Sequence, residues 1–166
     1  VGVWSGSAPY TVYKNKNGAF SVQGAFAGTI DLDALRIIEG RSINAFDEDQ
    51  RRKVAMIGKR VRDQLFVPGE PVIGADIEIN GISFTVVGVF ESLQRGNEQQ
   101  EEERIFLPND TLRHSFNQVG WVGSFVVLPK PGIHARVAEE DVKRFLAQRH
   151  KVHPNDRGVF GSFNVQ

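Results

Sequence analysis

The strongest local constraint in this sequence is a pair of apolar, β-prone runs separated only by Asn80-Gly81. An Asn-Gly pair suits the positive φ angles of the type I′ turn, which joins two antiparallel strands through two residues. The runs are residues 77–79 and 82–86, and in the second run alternate residues are apolar, which places them on one face of a strand. We therefore predict a β-hairpin over residues 77–90 with one buried side.

Other segments are rich in β-branched and aromatic residues and are bounded by turn residues. We predict strands at residues 10–13, 20–26, 54–58, 105–108, 121–128 and 163–165, and a turn at residues 15–18. The run at residues 54–58 is apolar throughout, which is typical of a buried strand.

Helical spacing occurs in two longer segments. Residues 59–66 place Val61 and Leu65 on one face, and a stripe of four apolar residues predicts a helix over residues 133–149. A single helical turn is expected at residues 31–35, and Asn109 or Asp110 is expected to cap a short helix that runs to residue 116. The order is β-rich through residue 107, followed by helix, strand, long helix and strand, which predicts an α+β fold.

Two stretches are charged and lack periodicity. Residues 47–53 are predicted to be exposed, and residues 91–104 are predicted to form a mobile polar loop. Recognition is often carried by loops on a rigid scaffold. The candidate contact residues in this loop are Arg95, Gly96, Asn97, Glu98, Gln99, Gln100 and Glu101.

Composition argues against several classes of protein. Lys plus Arg and Asp plus Glu both number 20, so the formal net charge is zero and no basic excess points to nucleic acid. The sequence has no cysteine, which excludes disulfides and thiolate metal sites. No apolar run reaches the roughly 18–20 residues that a membrane helix needs. Since the first residues lack both an initiator Met and a signal-peptide pattern, we expect the chain to be part of a longer protein.

The motifs of common active sites are absent from the sequence. No phosphate-cradling or dinucleotide-binding glycine spacing occurs, and Gly161-Ser162-Phe163 does not complete a nucleophile elbow. The four histidines fall on separate segments or on a turn, so no metal site is expected. Asp31 and Asp33 could act as acid and base but can equally be a helix cap and a surface charge. The pair Gly40-Arg41 reads as a turn with a surface ion pair, with a partner contact as the alternative.

Residues 38–90 contain a series of motifs in a fixed order. Gly40-Arg41 is followed by the apolar strand that ends at Gly58, a helix that ends in Leu65-Phe66, the turn Pro71-Val72-Ile73-Gly74, and a hairpin that ends in Val87-Gly88-Val89. This order closely resembles the periplasmic core domain of MacB-like ABC transporter permeases. Ala75 departs from the family, which often has Lys or Thr there.

Residues beyond the hairpin extend the likeness. Ile105-Phe106-Leu107-Pro108 is similar to a strand of the family, and Arg149-His150 with Phe163-Asn164-Val165 is similar to its C-terminal segment. The likeness covers residues 20–166.

The resemblance implies a domain of two parts. A β-rich insertion of the kind named Sabre would span residues 15–117. A porter-like α/β part would comprise residues 1–14 and 118–166, and it would lack the strand and helix that usually precede residue 1.

The resemblance also implies a function without local chemistry or a cofactor. The domain would lie on the periplasmic side of the inner membrane in an integral membrane protein. It would couple ATP hydrolysis in the cytoplasm to movement and to binding of a partner or substrate in the periplasm, in efflux or in export of lipoproteins or peptides. Its partners would be the cognate ABC ATPase, a second permease copy, a periplasmic adaptor and an outer-membrane component. The alternatives are a β module that binds a lipid, peptide or glycan, and, last, a hydrolase.

Overall fold

The chain, seen in a computed structural model, is described for residues 8–94, 96–118, 127 and 129–153. It divides into two compact units, residues 1–125 and residues 126–166. Among the described residues, the first unit contains eight strands and five helices and the second contains one helix. The predicted combination of a sheet with several helices is confirmed.

The strands are β1 Tyr10–Tyr13, β2 Lys16–Ala19, β3 Ser21–Ala25, β4 Leu35–Gly40, β5 Val54–Gly58, β6 Asp76–Ile79, β7 Ile82–Ser92 and β8 Arg104–Pro108. The helices of the first unit are α1 Thr29–Leu32, α2 Ala45–Asp49, α3 Lys59–Leu65, α4 Glu98–Glu102 and α5 Asn109–Ser115. The second unit contributes α6 Ala135–His150.

The hairpin predicted at Asn80-Gly81 is confirmed. Strands β6 and β7 pair antiparallel with Ile79 opposite Ile82, and the two turn residues have φ angles of 51° and 81°. Positive φ at both central positions is the requirement of the type I′ turn. The side chain of Phe84 in this hairpin is fully buried, as the alternation predicts.

The sheet curls back on itself. Its strand order is β2-β1-β6-β7-β5-β8-β3, with β4 paired separately to β7. Strands β2 and β3 therefore stand at the two ends of this order, yet only Phe20 separates them in the sequence. Since consecutive Cα atoms are about 3.8 Å apart, the two ends of the sheet must meet at this residue.

Strand β7 is the centre of the sheet. One edge of β7 pairs with β5 in parallel, and the other pairs antiparallel first with β6 and then with β4. With partners along both edges, β7 has its backbone hydrogen bonds satisfied by other strands rather than by water.

Both faces of the sheet are covered. Neighbouring residues of a strand point to opposite faces, and Ile57 packs in one apolar cluster with α3 and α5, whereas Met56 packs in another with residues of α1 and β4. Burial on both faces explains why β5 reads as an unbroken apolar run and does not alternate.

Several sequence predictions are confirmed and others are wrong in detail. The strand at residues 54–58 and the helices at residues 59–66 and 133–149 are confirmed. The predicted turn at residues 15–18 is misplaced, since the turn lies at residues 14–15 and β2 begins at Lys16. Neither predicted cap of α5 is its N-cap, because the helix begins one residue earlier than predicted: Pro108 is the N-cap, and Asn109 and Asp110 are the first two helical residues.

Other predictions lie beyond what the structure tests. The predicted strands at residues 121–128, apart from Val127, and 163–165 lie outside the described residues. The subdomain boundaries at residues 14/15 and 117/118 stay a prediction; β1, before the first boundary, pairs with β2 and β6 after it. No helix in the described part of the chain is long and apolar enough to cross a membrane.

Candidate functional site

The predicted contact loop lies at one end of the sheet. Strand β7 ends there at Ser92 opposite the first residue of β4, and β5 ends there at Gly58. Because β8 runs antiparallel to β5, it begins at the same end, at Arg104. We call this surface, residues 91–104 with their immediate contacts, the α4 end.

The prediction of an irregular loop over residues 91–104 is wrong in part. Residues 91 and 92 continue β7, and residues 98–102 form α4. This helix packs so closely on the end of β5 that a Cβ atom on Gly58 would lie 2.1 Å from the carbonyl oxygen of Glu102. The backbone N–H of Ser92 donates a hydrogen bond to the Glu102 carboxylate at 3.3 Å. The helix is thus held by close backbone packing and by polar contacts, and neither of these produces an apolar periodicity in the sequence.

Glu101 anchors α4 to the sheet. It is 5% exposed, and Arg104 donates a hydrogen bond of 2.6 Å to its carboxylate. Burial raises the pKa of Glu101, and the charge of Asp33 adds to the increase, while the charge of Arg104 opposes it. Burial also raises the pKa of Asp33, and the charge of Arg104 partly opposes this increase. Two carboxyl groups therefore share one cation beneath α4.

The outer side of α4 faces solvent. Of the seven predicted contact residues, five are exposed (Gly96, Asn97, Glu98, Gln99 and Gln100), Glu101 is buried, and Arg95 lies outside the described residues. The exposed residues are one glycine, three amides and one carboxylate, with no aromatic residue among them. This surface suits hydrogen bonding more than apolar burial.

The segment that leads into α4 is held to the start of β4. The backbone N–H of Leu93 donates to the carbonyl of Ala34 at 3.0 Å, and the side chain of Gln94 donates to the carbonyl of Asp33 at 3.3 Å. The Leu93 side chain is nevertheless 56% exposed. A rim of ion pairs surrounds the surface, including Arg60 with Glu103 at 3.1 Å. The predicted contact surface is therefore presented by a fixed scaffold.

A second cluster of charges, around Asp47, was missed by the sequence prediction that residues 47–53 are exposed. Asp47 is fully buried. Arg41 donates to its carboxylate at 2.5 and 3.0 Å, and Arg52 donates at 3.2 Å. Asp47 also forms a reciprocal capping box with Asn44 at the start of α2.

The electrostatics of this cluster favour the ionised carboxylate. Burial alone would raise the pKa of Asp47, but the hydrogen bond from Arg41, the backbone N–H of Asn44 and the charges of both arginines lower it below its usual value. The predicted ion pair of Arg41 is present, but its partner Asp47 is buried, so it is not a surface pair. The predicted turn is wrong, since Gly40, at a φ of 70°, is the last residue of β4 and the backbone N–H of Arg41 donates to Val87 of β7. The sequence signal that could have located α2 is Asn44 followed three positions later by Asp47, the spacing of a capping box.

The described residues contain little that resembles a catalytic or metal site. No group of three His, Asp or Glu side chains among them is placed to share a metal ion. Two clefts of about 340 and 350 Å³ open at the surface, the first lined by Arg51, Lys53 and residues of α5, the second by Tyr13, Glu70 and residues 71–75. Both are open and partly polar, whereas the alternative function of lipid, peptide or glycan capture predicts a deep apolar pocket.

Comparison with known proteins gives consistent results. The sequence model of the family described as MacB-like periplasmic core domain matches residues 1–145. The chain is 27% identical over 138 residues to the macrolide export ATP-binding/permease protein MacB of Shigella dysenteriae, covering 83% of this chain and 21% of that protein. The MacB protein of Bdellovibrio bacteriovorus is 27% identical over 154 residues, 92% of this chain and 24% of that protein. The chain thus spans about a fifth to a quarter of the length of these relatives.

Solved structures match the fold. The periplasmic region of MacB from Actinobacillus actinomycetemcomitans superposes with a TM-score of 0.71 at 21% identity, over 88% of this chain and 64% of that one. The extracellular domain of the noncanonic ABC-type transporter YknZ from Gram-positive bacteria gives a TM-score of 0.70 at 17% identity, over 88% of this chain and 73% of that one.

Proposed function

The chain belongs to the family of MacB-like periplasmic core domains, and on this premise we propose that it is the extracytoplasmic domain of an ABC transporter permease. In this role the domain lies on the periplasmic side of the inner membrane. Movement driven by ATP hydrolysis in the cytoplasm reaches it through the membrane helices of the permease. The observation that carries the proposal is the family match over residues 1–145.

Rigid-body displacement is the proposed means of coupling. The first unit suits this task because its central strand β7 is paired on both edges and its main apolar side chains have no solvent exposure. Tightly packed interiors have low compressibility and transmit strain instead of absorbing it. A displacement applied at one end of the sheet therefore reaches the α4 end without local rearrangement.

The exposed residues 96–100 of the α4 end form the proposed contact surface for a partner. Their support is the scaffold beneath them, namely the Gly58–Glu102 contact and the Glu101–Arg104 ion pair. Such a surface enters an interface with little cost in backbone conformational entropy. The partners we propose are a second permease copy, a periplasmic adaptor with its outer-membrane component and, through the full-length permease, the cognate ATPase. Drugs, peptides and lipoproteins are the proposed classes of cargo.

Distance measurements in the full-length permease test the coupling. The chain has no cysteine of its own, so spin labels at Gln99→Cys on α4 and Gln50→Cys after α2 report on opposite ends of the sheet. We expect the distance between equivalent labels in the two copies of a dimer to change when ATP is bound. The distance between positions 50 and 99 within one chain should stay constant. An unchanged inter-copy distance would refute coupling, and a changed intra-chain distance would refute rigid-body transmission.

Substitution at the contact surface tests the partner role. Gln99→Arg places a large cation on the exposed side of α4 without touching the buried anchor, and Gln50→Arg is the matched control at the other end. We expect Gln99→Arg to weaken binding of the purified adaptor of the same transporter at least tenfold, with the control within twofold. Equal binding by both variants would remove the α4 end from the adaptor interface.

A further inference from the structure

A cleft at the opposite end of β5 has a lining unlike that of the α4 end. It holds about 340 Å³ and is lined by Arg51, Lys53, Ile82, Thr111, His114 and Ser115. Three of these side chains are basic, two carry hydroxyl groups and one is aliphatic, and none of the six is a carboxylate. We call these six residues the basic cleft.

Three elements position the basic cleft. Residues Thr111, His114 and Ser115 are three and four apart on α5 and so share one face of that helix, while Leu112 between them is buried in the core. Arg51 follows α2 with a φ of 47°, the left-handed conformation that ends a helix. The backbone of Lys53 accepts a hydrogen bond of 2.9 Å from Thr85 of β7. The lining residues are thus fixed at the backbone.

The polar groups of the cleft are largely unpaired. Among the described residues, the side chains of Lys53, His114 and Ser115 have no hydrogen bond or ion pair. Arg51 pairs only with Asp110, at 3.8 Å, and both side chains are about half exposed. The hydroxyl of Thr111 already donates to the carbonyl of Arg52 at 3.2 Å, so it is free only to accept. The available groups are therefore two cations, one imidazole and one hydroxyl donor.

We propose that the basic cleft binds the phosphate group of a small phosphate ester. Arg51 and Lys53 supply positive charge, and Ser115 and His114 supply hydrogen-bond donors to the phosphate oxygens. Ile82 contacts the carbon atoms next to the phosphate. A phosphate fits better than a carboxylate because it offers more acceptor oxygens and more charge to a ring of several donors. The volume lies at the lower limit of small-molecule sites, which suits a compact headgroup.

Titration with inorganic phosphate tests the site. Amide NMR spectra of the chain are recorded at constant ionic strength, so that general screening does not change with phosphate. We expect saturable shifts confined to residues near the cleft, with a Kd of about 1–10 mM. Lys53→Gln should weaken binding at least fivefold. Lys59→Gln removes the same charge at the other end of β5, and should leave the Kd within twofold.

A neutral substitution separates a built site from general attraction to positive charge. Ser115→Ala removes one hydroxyl donor without changing the charge, and is expected to weaken phosphate binding two- to fivefold. If Ser115→Ala has no effect, if Lys59→Gln weakens binding as much as Lys53→Gln, or if the shifts do not saturate, the proposal is overturned. The amide spectra of the variants show at the same time that each remains folded.

Two sources could supply the phosphate ester, and vesicles distinguish them. Sedimentation with phosphatidylcholine vesicles is compared with sedimentation with vesicles that also contain phosphatidic acid, whose phosphate is a monoester. If the chain binds the vesicles with the anionic lipid, and this binding is lost in Lys53→Gln and reduced in Ser115→Ala, the ligand is a lipid headgroup. Saturable binding of inorganic phosphate without vesicle binding identifies a soluble phosphate ester.

Discussion

Replacing Asp47 by asparagine removes one negative charge from the interior of the first unit and leaves the shape of the side chain nearly unchanged. The carboxylate accepts two hydrogen bonds from Arg41, one from Arg52 and one from the backbone N–H of Asn44. It joins the segment after β4, the start of α2 and the segment before β5. The substitution therefore weakens three connections at once.

The size of the loss follows from the exposure of the partners. Breaking a fully buried ion pair costs about 3–5 kcal/mol because an uncompensated charge stays buried. Here Asp47 is buried, but the side chains of Arg41 and Arg52 are 40% and 47% exposed, so water solvates them once the carboxylate is gone. The amide oxygen of asparagine also still accepts a hydrogen bond. We expect the free energy of unfolding at pH 7 to fall by about 2–3 kcal/mol, below the fully buried case.

Urea unfolding followed by far-UV circular dichroism measures this difference, with Asp49→Asn as the control. Asp49 lies on the same helix and is exposed, so its replacement should change stability by less than about 0.5 kcal/mol. Because the native pKa of Asp47 is lowered, its stabilisation is present above about pH 4 and is lost as the pH falls through the native pKa. The difference between wild type and Asp47→Asn should therefore shrink below about pH 4. A loss no larger than that of the control, or one independent of pH, would refute the assignment to charge.

Three further predictions concern α4 and the core. Gly58→Ala places a Cβ atom 2.1 Å from a carbonyl oxygen of α4 and should speed amide exchange over residues 98–104. The control Gly69→Ala, at a φ of 85° with open space around it, should not speed exchange over these residues. Burial raises the pKa of Glu101, so this residue contributes less to the stability of the wild type as the pH rises. In urea unfolding, the stability of Glu101→Gln relative to wild type should therefore increase from pH 4 to pH 7. A decrease would contradict the direction of the pKa change. Phe84→Ala should cost about 3–5 kcal/mol in the same assay because its side chain is fully buried, and exposed Leu93→Ala should cost less than about 0.5 kcal/mol.

The elements that the sequence predicted well are those whose signal is local. The Asn80-Gly81 pair specifies its turn through φ angles alone, and the apolar run of β5 is long enough to require burial. Helix α3 was predicted because Val61 and Leu65 form a complete apolar stripe on two turns. In each case the decisive residues lie within about ten positions of one another.

The elements that the sequence predicted poorly depend on contacts between distant residues. Helix α4 has five residues and buries only Glu101, so it shows no apolar stripe, and its main support is Gly58, forty residues away. Closure of the sheet at Phe20 depends on the pairing of β2 with β1 and of β3 with β8, which no local pattern encodes. A charged residue also reads as exposed unless its counterion is known, and that is why Asp47 was assigned to the surface.

Asp47 and Glu101 are both buried, both accept hydrogen bonds from arginine, and differ in the sign of the pKa change. The difference follows from the number of neighbouring charges. Asp47 has two cations and a backbone donor, which outweigh the cost of burial, whereas Glu101 shares one cation with a second acid. Acidification below about pH 4 should therefore loosen α2, at the start of β5, while it does not loosen the α4 end through Glu101. Amide exchange at pH 7 and below pH 4 measures the opening of each helix at both values, and a larger increase for α4 than for α2 on acidification would show that the Glu101–Arg104 ion pair outweighs burial.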